Sequence, residues 1–186
     1  MMIFSRLSTL KWIMLVLSLS QLSQAEILAS VNYFQFSKDE QVNAGVNAET
    51  RVTSYDLSLQ FIMGQSFLVG ATHMTQATAS SNVRGHREST APNIGLLVGP
   101  FLLEGGSISK STEKVNLNEA NEWRDGTGYY GSICILDRVS SWMIIGFQFT
   151  FLNIEYKKYF DGITETSDQK KNVSVLSPSL RLSVLF

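Results

Sequence analysis

His73 and Thr75 stand two apart, so on a strand they share a face, and an imidazole beside a hydroxyl is the pairing that makes an oxygen nucleophile. A second group, Arg84, His86 and Arg87, lies in a polar stretch and offers cations suited to phosphate oxygens. His86 has no second His or Cys at ligand spacing, so no metal is expected there. A third group, Asp56, Gln60, His73, Glu104, Lys110 and Arg181, interrupts otherwise apolar runs. A buried charge needs a partner, so these predict a hydrogen-bonded network, with Arg181 paired to Glu104 or Asp56. The sequence has no Gly-x-Ser-x-Gly elbow and no Gly-rich phosphate cradle leading from a strand into a helix, and no cofactor is expected. Cys134 is the only cysteine, which excludes an intrachain disulfide, and it reads as a small apolar residue rather than a nucleophile.

The elements that would position these residues are strands. Eight stretches of alternating character are expected, at about Ile27–Lys38, Arg51–Met63, Phe67–Ala79, Pro92–Gly99, Phe101–Ser111, Gly128–Leu136, Trp142–Lys158 and Val173–Phe186. In the second, Tyr55, Leu57, Leu59, Phe61 and Met63 oppose Ser54, Asp56, Ser58 and Gln60. In the seventh, Met143, Ile145, Phe147, Phe149 and Phe151 oppose Ile144, Gly146, Gln148 and Thr150. The facing of the third and fifth strands is ambiguous from period alone. Short connections (Gly64–Ser66, Gly99–Pro100, Asp137–Ser141) alternate with long polar ones (Asp39–Thr50, Ser80–Ala91, Thr112–Thr127, Tyr159–Asn172). That rhythm predicts an all-β, eight-stranded antiparallel up-and-down barrel, which spans a membrane without leaving a backbone edge in lipid. Aromatics gather at both ends of the strands, Phe61, Phe67, Phe101, Trp142 and Phe186 near the short turns and Tyr129, Tyr130, Tyr156, Tyr159 and Phe160 near the long segments, as in interfacial girdles.

Residues 1–25 carry Arg6 and Lys11, the apolar run Trp12–Leu17 and then Ser23-Gln-Ala25, the layout of a secretory signal peptide. The remainder, 26–186, is then one barrel domain with 13 basic and 16 acidic residues, a formal charge of −3, which excludes a basic nucleic-acid footprint. No apolar stretch beyond residue 25 approaches the roughly 18 residues that a membrane-spanning helix needs.

The last ten residues, Ser177-Pro-Ser-Leu-Arg-Leu-Ser-Val-Leu-Phe186, place Leu180, Leu182, Val184 and Phe186 on one face and end on an aromatic. This resembles the C-terminal signature strand of bacterial outer-membrane β-barrel proteins, and the whole pattern is similar to the small eight-stranded barrels such as the OmpA transmembrane domain, OmpX and OmpW. The resemblance implies the cell outer membrane as location, a terminal strand read by the barrel assembly machinery, contact with outer-membrane lipid, and lipopolysaccharide phosphates as partners of Arg84, His86 and Arg87. The implied function is a structural or surface-interaction role, with passage of small or hydrophobic solutes as one form of it. Two alternatives remain. His73-Met-Thr75 resembles the His-x-Ser of lipid A deacylase barrels, with Thr in place of Ser, which would make the chain a lipid A modifying enzyme. A secreted lipocalin-like calyx for an apolar small molecule is the other. If Phe186 belongs to the assembly signal, Phe186→Ala lowers the amount of protein in the outer-membrane fraction, measured by immunoblot; wild-type levels would remove that role.

Overall fold

The structure, a computed structural model, describes residues 26–42, 46–79, 84–115, 121–167 and 169–186, without the side chains of 37–42 and 46–50. Residues 1–25, expected to be a signal peptide, fall outside the described residues. Strands β1 (Glu26–Val42), β2 (Val46–Met63), β3 (Phe67–Ala79), β4 (Arg84–Val98), β5 (Phe101–Lys114), β6 (Asn121–Arg138), β7 (Met143–Tyr156), β8 (Lys158–Asp161), β9 (Glu165–Thr166) and β10 (Lys171–Leu185) form one antiparallel sheet. Pairing of β5 with β6 and of β10 with β1 closes eight of them, all but β8 and β9, into a barrel.

Each of the eight expected strands overlaps one barrel strand; β3 matches its expected range and β7 is shorter, but β1, β2, β4, β5 and β6 run further than the alternation indicated. Residues 84–91, expected in a loop, pair with β3 and β5, the ladder of β1 and β2 continues to Val42↔Val46, and Lys114 pairs with Glu122. There both faces carry polar side chains, His86, Glu88 and Thr90 outward and Arg87 and Ser89 inward on β4, so the period-2 signal disappears while the backbone ladder continues. The segment after β7 also holds a small hairpin. There β8 pairs with β6, β9 pairs with β8, Lys158 bridges Asp125 and Glu165 at 3.0 Å each, and Arg124 lies 4.2 Å over the Phe160 ring. The turn between β8 and β9 is tied by Asp161, whose carboxylate accepts from the N–H groups of Ile163 and Thr164 and from the Thr164 hydroxyl. These donors hold its carboxyl below the usual range.

Facing in β3 and β5 is settled by register. In β3 the even positions Leu68, Thr72 and Met74 point inward. In β5, Leu102, Glu104 and Ile108 point inward, but a bulge against β6 between Ile108 and Ser111 shifts the phase, so Ser109 and Lys110 are both exposed and Ser111 is buried. Lys110, expected inside with Glu104, is therefore outside. A second irregularity, between Thr90 and Asn93, contains Pro92, which has no N–H for the ladder.

The lumen is filled in layers. Leu28, Ile62, Leu68, Leu102 and Cys134 close the end nearest the short turns, and Met74, Ala91, Ile108, Tyr130, Leu152, Ile154 and Tyr156 pack higher up. Of the aromatics expected in a girdle, Phe61, Phe67, Phe101, Trp142, Phe186 and Tyr129 are exposed on the outside, whereas Tyr130 and Tyr156 are buried in the lumen, since strand neighbours alternate faces. Gly106 makes room for this packing, because a Cβ there would lie 2.5 Å from both the Pro92 carbonyl oxygen and Tyr130 Cε1. Its neighbour Gly105 has no heavy atom closer than 3.6 Å to its Cβ position. Gly106→Ala is expected to cost about 1–3 kcal/mol through overpacking, and Gly105→Ala to stay within about 0.5 kcal/mol. Urea midpoints of refolded protein in lipid would check the pair, and equal effects would contradict the assigned faces.

Candidate functional site: a sealed polar layer in the lumen

Between the two apolar layers lies a ring of polar side chains drawn from six strands. Register explains how it assembles: Leu180 and Leu182 of β10 face outward, so Arg181 points in, and by the same alternation Gln60, Glu104 and Gln148 point in from β2, β5 and β7. Arg181 is 2 % exposed. Its Nη1 donates to Glu104 Oε2 at 2.6 Å and to Gln148 Oε1 at 2.9 Å. Its Nη2 donates to Ser30 Oγ at 3.0 Å, Gln60 Oε1 at 3.1 Å and Glu104 Oε1 at 3.2 Å, and its Nε to Ser183 Oγ at 3.2 Å. The carboxylate of Glu104 also accepts from Gln60 Nε2 at 2.7 Å and from the Ser132 hydroxyl at 3.2 Å. Every guanidinium donor is thereby occupied, and both carboxylate oxygens are bonded twice.

Such saturation decides what the group can do. A buried ion pair is stable only when its remaining hydrogen-bonding capacity is met, and here it is met by neutral side chains. The layer therefore holds no free base and no unpaired charge to polarise a substrate. Just above it, Asn93 donates to the Thr72 hydroxyl at 2.7 Å and Tyr130 donates to the same oxygen at 3.3 Å, bringing in β3 and β4. Asp56 faces inward, accepts a hydrogen bond from its cross-strand partner Asn32, and lines a cavity of about 40 Å³ together with Ser54, Met74 and Arg87. Nearer the long connections a second polar layer joins Arg87 to Gln76 at 2.7 Å and to Glu113 at 3.3 Å, and Lys171 to Glu113 at 2.9 Å.

The residues singled out in the sequence thus divide. Gln60, Glu104 and Arg181 meet in one network, with Asp56 beside it. His73 does not join them: it is exposed on the outer face, and its Nδ1 lies 3.1 Å from the hydroxyl of Thr90 on β4. The His73–Thr75 pair is not assembled, because the imidazole is engaged by Thr90 while Thr75 is buried. The cationic group is split as well. Arg84 is exposed, His86 points outward to Glu88 at 2.9 Å, and Arg87 turns into the lumen, as alternation on β4 requires of neighbours. Gln148, on the face of the seventh strand opposite Phe147 and Phe149, joins the network although it is not among the singled-out polar residues. Ser30, Ser132 and Ser183 carried no signal of their own, since a serine's role here follows only from which strands are adjacent. Among the described residues no group of three His, Cys, Asp or Glu side chains is placed to hold a metal.

No protein-family model matches the chain, and no curated protein matches it in sequence. Solved structures do. In-vitro folded OmpT, an outer membrane protein of Vibrio cholerae, aligns with 86% of this chain at 14% identity and a TM-score of 0.39, and this chain spans 52% of its length. The outer membrane protein OprG from Pseudomonas aeruginosa aligns with 87% at 10% identity and a TM-score of 0.43, covering 95% of that chain. Neisserial surface protein A aligns with 87% at 14% identity and a TM-score of 0.44, covering 97% of that chain.

Removing one partner of the central pair leaves the other charge buried, so Arg181→Met or Glu104→Leu alone is expected to cost about 3–5 kcal/mol. The double variant Arg181→Met with Glu104→Leu is expected to recover most of that loss. Unfolding in lipid bilayers measures the cycle, and additive losses would show that the two residues act independently.

Proposed function

We propose that this protein is an integral outer-membrane β-barrel with a sealed lumen and a structural or surface-interaction role. The observation that carries the reading is the polarity of the wall. Phe147, Phe149 and Phe151 on β7, Leu57 and Leu59 on β2 and Leu180 and Leu182 on β10 are all exposed on the outside, while Arg181, Glu104 and Gln60 are buried inside. In water that outer face would be one continuous apolar patch around the barrel, far beyond the few hundred Å² that soluble monomers expose. In a bilayer it is the face that lipid solvates, and the closed ladder leaves no unpaired edge. A soluble calyx for an apolar ligand needs the opposite arrangement, with an apolar lumen and a polar exterior.

With an even number of barrel strands, the short turns lie on the periplasmic side together with both ends of the barrel, and the long connections face outward. Passage of solutes through the lumen is not favoured by this interior. Two apolar layers and a saturated ion-pair layer fill it; the cavity of about 40 Å³ beside Asp56 has room only for water, and a hollow of about 150 Å³ beside Gln76, Arg87 and Glu113 lies nearer the long connections.

Gel mobility of the outer-membrane fraction, with and without boiling in detergent, tests the reading. A closed barrel stays folded in cold detergent and shifts on heating; protein in the soluble periplasmic fraction without a shift would overturn the proposal. Within it, Phe147→Lys or Phe149→Lys is expected to cost about 2–4 kcal/mol near the bilayer midplane, measured by unfolding in lipid. Single-channel recording of purified protein is expected to show no steady conductance.

A further inference from the structure

The apolar belt is not uniform around the barrel. Counted from the short turns, the outward apolar run reaches Tyr55 on β2 and Phe151 on β7, eight positions above Met63 and Met143. On the neighbouring wall it stops sooner. In β3 it gives way at His73, six positions above Phe67, which is about 15 Å along the barrel axis for tilted strands and still inside a belt about 25 Å tall. In β4 and β5 the outward face beyond Ile94 and Leu103 carries Pro92 and Thr90, then Ser107, Ser109 and Lys110.

These polar groups form a connected patch. The Thr90 hydroxyl lies 3.1 Å from His73 Nδ1, the Ser109 hydroxyl donates to the Thr90 carbonyl at 3.2 Å, and Lys110 is the cross-strand partner of Thr90. It is the bulge in β5 that turns Lys110 outward here. Among the described residues neither the Lys110 ammonium nor the remaining ring nitrogen of His73 has a protein partner. Glu88, which also lies within electrostatic reach of His73, is engaged by His86 at 2.9 Å, and Lys114 stands across from His86. The patch therefore presents an excess of cationic and donor groups.

Directly below it, towards the short turns, the same wall is hollowed. A groove of about 730 Å³ runs over the backbone of β3, β4 and β5 between Phe67, Val69, Leu96 and Leu103, with the outward-facing Gly105 in its floor and Pro92 and Ser107 on its rim. Thr90 and Ser109 are each two residues further on, so groove and patch are continuous. Gly105 and its cross-strand partner Gly131 widen the bare surface, since neither would place a Cβ within 3.5 Å of any atom. The other large outer hollow, about 760 Å³ beside Tyr33, Phe147 and Leu180, has no such cap; the only basic residue on its lining, Arg181, sends its side chain into the lumen.

We propose that this wall is a binding site for one phosphate-bearing lipid of the outer leaflet, with an acyl chain in the groove and the phosphate on Lys110 and on His73, whose ring is held by the Thr90 hydroxyl. The proposal rests on the membrane reading above. An apolar channel capped by an ammonium and an imidazole matches a molecule that is a chain at one end and an anion at the other, and charge-assisted hydrogen bonds in a partly desolvated belt give the anion its preference. Lys110 reaches the headgroup level by extending its apolar stem along the wall.

The test uses the folded full-length barrel in detergent, with lipid retention read by native mass spectrometry. Phosphatidylglycerol is expected to be retained in preference to phosphatidylcholine of the same chains by roughly five-fold or more. The double variant Lys110→Ala with His73→Ala is expected to abolish the preference while leaving phosphatidylcholine retention unchanged, and Gly105→Leu, which fills the groove, to lower retention of both. Glycerol phosphate, a headgroup without chains, is expected not to compete. Equal retention of the two lipids, a preference that survives the double variant, or displacement by glycerol phosphate would each overturn the site in a protein that still shifts on heating. A wild-type protein with no heat shift would overturn the membrane reading instead.

Discussion

The arrangement of the lumen depends on one bond, the 2.6 Å contact between Arg181 on β10 and Glu104 on β5. These strands are not neighbours in the sheet, so the pair crosses the barrel interior instead of running along a ladder. An arginine and a glutamate are tolerated there only because the barrel is narrow enough for both side chains to meet at its axis and for Gln60, Gln148, Ser30 and Ser183 to reach the same point. About eight strands give that width. The number of strands and the chemistry of the interior are thus one constraint seen twice.

What the sequence made legible follows from where the two faces of a strand differ in polarity. Between Tyr55 and Met63, and again between Met143 and Phe151, one face is apolar and exposed while the other turns polar groups into the lumen, and alternation is plain. From Arg84 to Ser89 in β4 both faces carry polar side chains, so that continuation left no periodic trace and read as a loop. Lys110 was misplaced because a bulge changes phase without leaving any mark in composition. His73 counts among the inward polar candidates while period alone leaves the third strand's facing ambiguous, and the register with β4 puts it outside.

The candidate site shows the same division. Arg181, Glu104 and Gln60 could be picked out one at a time as polar residues in apolar strands. Their meeting could not, because it depends on the pairing of β10 with β1 and of β5 with β6, which no local pattern encodes. The outer wall was less legible still. The groove is a property of three adjacent strands, and Gly105 in its floor looks by itself like a weak point in a sheet.

The place of Arg181 in the chain ties charge to closure. Glu104 and Gln60 belong to strands that pair through β5-β4-β3-β2-β1, while Arg181 sits on β10, the strand that joins β1 to β7. The strand that completes the ladder is thus also the one that carries the counter-charge of Glu104. Its loss would open an edge in the sheet and strand a carboxylate in the interior together.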